Sequence, residues 1–152
     1  MLKILCPVNG EIVIANKIKD ETFSKQMMGT TVGIKPSSNV FSAPVSGQMV
    51  ICEGHAFAIQ ADNGVQVLVH IGLDTVKISP AEKAKIFKYS TKVGQTVKAD
   101  QKVVTVDFDK IKKLGYDLTT PVVVLGESTN GKKVIFKNIG AAKAGSVLYE
   151  VE

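Results

Sequence analysis

Turn-forming residues recur about every ten positions along this chain and divide it into short β-rich runs. The turns are Asn-Gly, Ser-Gly and Pro-Ser-Ser-Asn groups, and the runs between them include EIVIA, VFSAPV, QMVIC, AFAIQ, VQVLVHIG and KVVTVDF. This spacing leaves little room for long helices and favours many short antiparallel strands. The predicted fold class is all-β, an antiparallel β-sandwich or barrel with a duplicated motif and one or two short helices.

Two segments outside these runs have helical character. Residues 20–28 and 109–115 each begin with an aspartate, so Asp20 and Asp109 are candidate N-caps. Residues 79–90 are ambiguous, because a Ser-Pro opening followed by Ala, Lys and Glu allows a helical turn or two. With 152 residues, the whole chain, 1–152, is predicted to form a single domain around one core.

The chain contains a faint internal repeat. CPVNGEIV at 6–13 resembles APVSGQMV at 43–50, and residues 93–107 are echoed more weakly by residues 144–152. Proline-led strand entries followed by a glycine turn are common, so two similar corners would give the same pattern. The other interpretation is an ancient duplication that folds into two related halves. Both interpretations stay open at the level of the sequence.

Charge and hydropathy exclude several classes of function. The net charge is +5, but all 19 basic residues are lysines, scattered along the chain without interleaved aromatic residues, so nucleic acid is not the expected partner. No window approaches the roughly 18 apolar residues of a membrane span, and the N-terminus lacks a secretory pattern. Cys6 and Cys52 form no CxxC pair, and two isolated thiols are typical of a protein from a reducing compartment. We expect a cytoplasmic, monomeric protein with no membrane insertion, and Met1 and Glu152 indicate a free-standing chain.

The chain has two histidines, and both flank one predicted hairpin, HAFAIQADNGVQVLVHIG. Asn63-Gly64 is a strong signal for a two-residue type I′ loop. With that loop Phe57 faces His70 across the hairpin, and His55 lies on the same face as a diagonal neighbour, about 7–8 Å away between backbones. A three-residue loop would change the parity and put His55 on the opposite face.

A lone histidine in an apolar strand is most often a core residue, but two that converge suit zinc binding, general acid/base catalysis or covalent phosphoryl carriage. Zinc requires a third protein ligand, and neither cysteine is well placed to supply one. Phosphoryl carriage requires less, because a neutral imidazole is nucleophilic and a second imidazole and backbone N–H groups can donate to the phosphoryl oxygens. Gly72 would let the backbone approach closely.

GVQVLVHIGLDTV at 64–76 resembles the signature of the glucose-type enzyme IIA domains of the bacterial phosphoenolpyruvate:sugar phosphotransferase system. PVNGEIV, GIKPSSN, APVSG, GHAFAIQADNG, KVGQTVK and TTPVVV extend the resemblance over essentially the whole chain. The resemblance implies an antiparallel β-sandwich in which His70 carries the phosphoryl group on Nε2 and His55 hydrogen-bonds that group. It also implies a phosphotransferase that takes phosphate from the phosphohistidine of HPr. The acceptor implied is a cysteine of the enzyme IIB domain of a glucose-family sugar permease.

The resemblance carries further expectations about the surroundings of the histidines. Asp74 matches a family aspartate that meets a basic residue of HPr; the alternative is turn or cap chemistry with Thr75. No metal is needed for transfer, although His55 and His70 can bind zinc in some family complexes. Five apolar residues are candidates for the docking rim or the core beneath it. Among Val40, Phe41, Phe57, Val69 and Ile71, we expect Val69 and Ile71 in the core and Phe57 on the rim.

The sequence departs from the family pattern at three places. Glu53 stands where the family usually has a threonine two residues before the second histidine, and Thr30 stands where it has an aspartate. KISPAEKAKIF replaces the usual Lys-Gly-Glu-Gly-Phe run after the signature.

Other functions remain alternatives to phosphoryl relay. The chain could be a module that regulates permeases or kinases, or that binds zinc, with the same histidine pair. A zinc peptidase on a related fold needs more histidines than the two present, and a biotin or lipoate carrier needs a Met-Lys-Met tip that is absent. The sugar itself is not encoded in this chain's pattern.

Overall fold

The computed structural model describes residues 1–137 and 140–152. In them, the strands form three antiparallel sheets, which confirms the predicted fold class. The strands are β1 Leu2–Leu5, β2 Gly10–Ile14, β3 Gly29–Pro36, β4 Val40–Ser42, β5 Gly47–Glu53, β6 Ala56–Gln60, β7 Gln66–His70, β8 Phe87–Tyr89, β9 Thr96–Val97, β10 Lys102–Val106, β11 Thr120–Leu125, β12 Val134–Phe136, β13 Ala141–Ala142 and β14 Val147–Val151. The large sheet has the order β13-β2-β3-β11-β7-β6-β5-β9, and the small sheets are β1-β14-β12 and β4-β10-β8.

Three short α-helices lie in the described part of the chain, one more than the upper limit predicted. They are α1 Glu21–Ser24, α2 Pro80–Ile86 and α3 Phe108–Lys113. Asp20 caps α1 as predicted, with its side chain accepting from the Thr22 N–H at 3.0 Å. The ambiguous segment 79–90 contains α2, which Ser79 caps, followed by β8. The prediction that Asp109 caps the third helix is wrong, because Asp107 accepts from the Lys110 N–H.

The two similar corners have matching backbone bonds. The Cys6 carbonyl accepts from Gly145 at 3.0 Å, and the Ala43 carbonyl accepts from Asp100 at 2.8 Å. In each case the strand after the corner pairs with a two-residue strand, β2 with β13 and β5 with β9. Gly145 and Asp100 both adopt positive φ, at 88° and 73°. The repeat seen in the sequence therefore corresponds to the same local geometry at two places.

Strands β7 and β11 are buried on both faces, which explains their nearly unbroken apolar sequences. The main core contains Val67 and Val69 of β7, and a second, smaller cluster contains Leu68. Strand β11 alternates in the same way, with Val123 in the smaller cluster. That cluster lies beneath α1 and includes Phe23. The smaller cluster forms the apolar floor on the side of the sheet to which His70 belongs.

None of the helices in the described residues combines the length and apolar character needed to cross a membrane.

Candidate functional site

The hairpin that carries the histidines has a three-residue loop, not the two-residue loop predicted. Ala61 donates to the Val65 carbonyl at 2.8 Å, which leaves 62–64 as the loop. The Asn63 side chain accepts from the Val65 N–H at 3.1 Å and Gly64 takes φ +92°, so the type I′ pairing is replaced. His70 consequently faces Ala56, and the register is shifted by one residue.

The shift corrects the prediction for Phe57. Phe57 pairs with Val69, is fully buried at 0% exposure and belongs to the main core. A residue with no exposed surface cannot form a docking rim, so the rim prediction is wrong. Val69 and Ile71 are both at 0% exposure, as predicted for core residues.

The two histidines nevertheless meet, with ring centroids 4.8 Å apart and planes inclined at 71°. His55 does not lie in a strand. It belongs to the turn 53–56, called the His55 turn below, where Gly54 adopts φ +51°. The His55 carbonyl accepts from the Ile71 N–H at 2.6 Å, so the turn is tied to the residue after His70. Strand parity fails here because a turn residue does not follow the alternation of a pleated strand.

His70 has a defined tautomer. Its Nδ1 lies 2.7 Å from the Gly72 carbonyl oxygen. A carbonyl can only accept, so Nδ1 carries the proton and donates it there, which leaves the lone pair on Nε2. The Phe23 ring packs at 5.0 Å from the imidazole and limits its rotation. Nε2 is thus the ring nitrogen of His70 that can act as a nucleophile.

Residues 70–75, the His70 loop, are fixed by the Thr75 side chain and by a backbone bond to Asp117. Gly72 adopts φ +79°, and a Cβ there would lie 2.6 Å from the Thr75 Cγ2 and 3.2 Å from the Asp117 carbonyl oxygen. Thr75 is buried and donates through Oγ1 to the Ile71 carbonyl at 2.7 Å. Leu73 donates to the Asp117 carbonyl at 2.9 Å. These contacts hold the Gly72 carbonyl in place for His70.

His55 is held differently. Its Nδ1 is buried without a hydrogen-bond partner in the described residues. The Tyr89 hydroxyl lies 2.8 Å from the Gly54 carbonyl oxygen and 3.2 Å from that of Ala56, so it anchors the backbone on both sides. Glu53 is exposed in this turn and supplies no bond to the ring.

Burial governs the protonation of both rings. Burial lowers the pKa of His55 to about 4, with smaller contributions from the His70 ring and the Lys83 ammonium. Burial also lowers the pKa of His70, although the Gly72 carbonyl, Asp20 and Asp74 oppose the shift. Both imidazoles are therefore neutral at physiological pH, which is the nucleophilic form.

Asp74 takes part in the turn through its backbone. It adopts a left-handed conformation with φ 60° at the start of the 3-10 turn Thr75–Lys77, and its side chain caps nothing there. The exposed carboxylate lies 4.0 Å from the Lys77 ammonium. It remains available on the surface beside His70.

Val40 and Phe41 lie away from the histidines, on the β4-β10-β8 sheet. Phe41 is at 0% exposure, and its ring contacts Phe57 at 6.4 Å and Phe108 at 6.0 Å in the core. It therefore cannot support a bound partner directly. Val40 is 37% exposed and pairs with Thr105. Neither side chain joins the cluster formed by the two imidazoles.

Sequence reasoning missed three residues that support the His70 loop. Phe23 packs against the imidazole in a tilted arrangement, Thr120 accepts from the Gly72 N–H at 3.4 Å, and Asp117 provides the carbonyl next to Gly72. Thr120 lies in the family-like run TTPVVV, which was a usable signal. Nothing in the local sequence around Phe23 indicates that α1 folds over β7.

The described residues contain no group of three or more His, Cys, Asp or Glu side chains that could hold a metal ion. Cys52 lies next to Thr91, whose carbonyl accepts from its Sγ at 3.4 Å, and burial raises the pKa of its thiol. The histidine pair alone offers two ligands.

A family model described as phosphoenolpyruvate-dependent sugar phosphotransferase system, EIIA 1, matches residues 2–130. The chain belongs to this EIIA family. It is 36% identical over 149 residues to the glucose-specific EIIA component of Mycoplasma capricolum subsp. capricolum, covering 97% of this chain and 93% of that relative. The solved structure of glucose permease IIA from Mycoplasma capricolum matches with a TM-score of 0.84 and 35% identity, over 97% of this chain and 94% of the other.

A further relative places the same unit in a longer protein. The glucose-specific EIICBA component of Mycoplasma genitalium is 37% identical over 158 residues, which cover 97% of this EIIA chain but 17% of that protein. An EIIA unit thus occurs both alone and joined to B and C units. This chain is an EIIA component, a phosphotransferase that carries a phosphoryl group within the sugar phosphotransferase system.

Proposed function

We propose that His70 Nε2 is the atom that receives and releases the phosphoryl group. The observation that carries this assignment is the 2.7 Å contact of Nδ1 with the Gly72 carbonyl, which assigns the proton to Nδ1 and the lone pair to Nε2. The imidazole is only partly buried, so Nε2 has access to a partner docked on the surface. Neutrality at physiological pH, from burial that lowers the pKa of His70, supports the same assignment.

The transfer is a displacement at phosphorus. The Nε2 lone pair of His70 forms a new N–P bond, the N–P bond to the donor imidazole breaks, and its electron pair returns to the donor ring. No proton needs to leave His70, because Nδ1–H stays bonded to the Gly72 carbonyl. That carbonyl stabilises the positive charge that the phosphorylated ring acquires. Release reverses these events with a thiolate as the nucleophile.

His55 is proposed to donate to the phosphoryl oxygens. A buried N–H without an acceptor is rarer than an unsatisfied acceptor, so the partnerless Nδ1 is assigned the lone pair. Nε2 of His55 then carries the hydrogen. With ring centroids 4.8 Å apart, this N–H can reach an oxygen of a group on His70. The Gly72 region and Thr75 act by holding His70 rather than by touching the phosphoryl group.

We propose HPr as the donor and the EIIB cysteine of a glucose-family sugar permease as the acceptor, at the cytoplasmic face of the membrane. The EIICBA relative supports the second partner, because there the EIIA unit shares a chain with a B unit. Val76, 58% exposed and next to the His70 loop, provides an apolar contact for docking, and Asp74 provides a carboxylate for a basic group. Regulation of permeases or kinases by the phosphorylated form is compatible with the same site.

The test is phosphorylation by enzyme I, HPr and phosphoenolpyruvate, read as one acid-labile phosphoryl group by intact mass. We expect labelling of the wild type and of His55→Ala, and none of His70→Ala. His55→Ala should pass the group to EIIB more slowly than the wild type. With phosphorylated HPr isolated from enzyme I as the donor, EDTA should leave the rate of transfer to EIIA unchanged, because we propose that this step uses no metal.

Labelling of a folded His70→Ala variant would contradict the assignment of the acceptor. A wild type that cognate HPr does not label would contradict phosphoryl relay itself. In that case zinc titration of wild type and His55→Ala would test the alternative use of the histidine pair.

A further inference from the structure

The segment KISPAEKAKIF, where this chain departs from the usual family pattern, folds into α2 and brings a lysine to the histidine site. The Lys83 side chain lies over the His55 turn, so closely that a Cβ on Gly54 would be 2.9 Å from its Cδ. Its Nζ donates to the Val76 carbonyl at 3.0 Å. Lys83 therefore bridges the turn that holds His55 and the 3-10 turn that follows the His70 loop.

In the described part of the chain, Lys83 forms no ion pair with a carboxylate. Among the described residues the ion pairs within 4.0 Å involve Lys25, Lys77, Lys85 and Lys137. In α2 itself Glu82 pairs with Lys85 at 3.8 Å, not with Lys83. The ammonium disfavours protonation of His55, the ring that belongs to the turn beneath the Lys83 stem. It is thus an available positive charge beside two neutral rings.

Phosphorylation adds negative charge that a nearby positive charge would stabilise. A phosphoryl group brings nearly two negative charges to a site whose imidazoles are neutral. Asp20 and Asp74 already act on His70 as negative charges and would repel the group. The His55 N–H provides a dipole but no net charge. Lys83 is placed to offset part of this repulsion.

We propose that Lys83 stabilises the phosphorylated form of this EIIA chain and so shifts the equilibrium of phosphoryl transfer from the donor toward EIIA. The proposal rests on the proposed function, because it takes His70 as the phosphorylated residue. Lys83 is a positioning residue here: its stem packs on Gly54 and its ammonium acts across space, without accepting the group or a proton. The helix that carries it comes from the departing segment, so the effect belongs to this chain's own sequence.

The test measures how the phosphoryl group partitions at equilibrium between HPr and the EIIA chain, by intact mass of both proteins. Partition between the free proteins depends on the stability of each phosphorylated form and not on docking rates, so a changed encounter with HPr cannot imitate the effect. Lys83→Met keeps the stem on Gly54 and removes the charge. Lys85→Met removes a neighbouring charge of the same helix and is the matched control.

We expect Lys83→Met to lower the equilibrium ratio of phosphorylated EIIA to phosphorylated HPr about three- to tenfold, as for a partly exposed charge facing a doubly charged group. Lys83→Arg should restore it, and the effect should shrink in high salt. The His55 imidazole, followed by NMR, should titrate at higher pH in Lys83→Met and unchanged in Lys85→Met.

Equal partition for wild type and Lys83→Met, or an equal loss in Lys85→Met, would overturn the role of Lys83 while leaving His70 as acceptor. Absence of any label on the wild type would overturn the proposed function, and this inference with it.

Discussion

The His70 loop and the His55 turn each hold an imidazole, but they do so by opposite means. His70 is oriented from within its own segment, since the Gly72 carbonyl two residues later binds its Nδ1. Among the described residues His55 Nδ1 has no hydrogen-bond partner, and the turn is anchored from outside by Tyr89 and Lys83. A nucleophile must be held in line with the bond it attacks, whereas a hydrogen-bond donor tolerates more freedom. The difference in how the two rings are held matches the difference between the roles that we propose for them.

The largest expected effect comes from a substitution in the His70 loop, the more firmly held of the two segments. Gly72→Ala combines positive φ with a close approach to Thr75 and Asp117, and should cost about 1–3 kcal/mol of stability. Displacement of the carbonyl that orients His70 should slow phosphorylation roughly 10- to 100-fold. Chemical denaturation and the HPr-dependent labelling rate measure the two effects.

Gly64→Ala is the matched control for that prediction. Gly64 also has positive φ, at +92°, but a Cβ there meets nothing within 4 Å. It should lose about 1 kcal/mol from backbone strain and label at the wild-type rate. Equal labelling rates for the two variants would show that the Gly72 carbonyl does not orient His70.

Thr75→Val should have the next effect. It removes the hydroxyl that donates to the Ile71 carbonyl inside the buried loop, at a cost of about 1–3 kcal/mol. Thr75→Ser keeps the donor and should recover most of that loss and of the labelling rate. A valine variant that labels at the wild-type rate would show that the bond to the Ile71 carbonyl does not stabilise the His70 loop.

Tyr89→Phe weakens the anchoring of the His55 turn and should have a smaller effect. It loses the hydroxyl that reaches the Gly54 and Ala56 carbonyls, worth about 1 kcal/mol, and should change the NMR signals of His55 but not those of His70. Tyr149→Phe is the control, because Tyr149 donates to the Val122 carbonyl at 2.7 Å in the core. It should lower stability and leave both histidine signals in place. A shift of the His70 signals in Tyr89→Phe would show that the His70 loop and the His55 turn do not hold their rings independently.

The smallest expected effect is that of pH on the contribution of His55. The folded pKa of about 4 lies below the ordinary value of about 6.5, so the unfolded chain binds a proton first as the pH falls. The difference in free energy of unfolding between wild type and His55→Gln should therefore be constant above about pH 6.5 and shift against the wild type as the pH falls to 4. The side chain is partly exposed, so solvent screening keeps the effect modest. A difference that does not change with pH would show that His55 titrates normally.

Much of the site follows from local sequence. The apolar runs predict β7 and β11, the glycine-bearing signature identifies His70 and Gly72, and Asp20 correctly marks the start of α1. The register of the β6–β7 hairpin did not follow from the local sequence, because Asn63-Gly64 fits both a two-residue and a three-residue loop. The Asn63 side chain chooses the second by accepting from Val65, a local competition that the dipeptide signal does not reveal.

The sequence by itself determined the all-β class, the family and the pair of histidines, because these depend on residue type and short-range spacing. Tertiary structure alone decided that His55 reaches His70 from a turn, that Phe57 faces the core, and that Phe23, Tyr89 and Lys83 surround the pair. Those contacts join segments far apart in the chain. They arise only when the sheets and short helices pack, because burial of shared apolar surface, not local preference, brings such segments together.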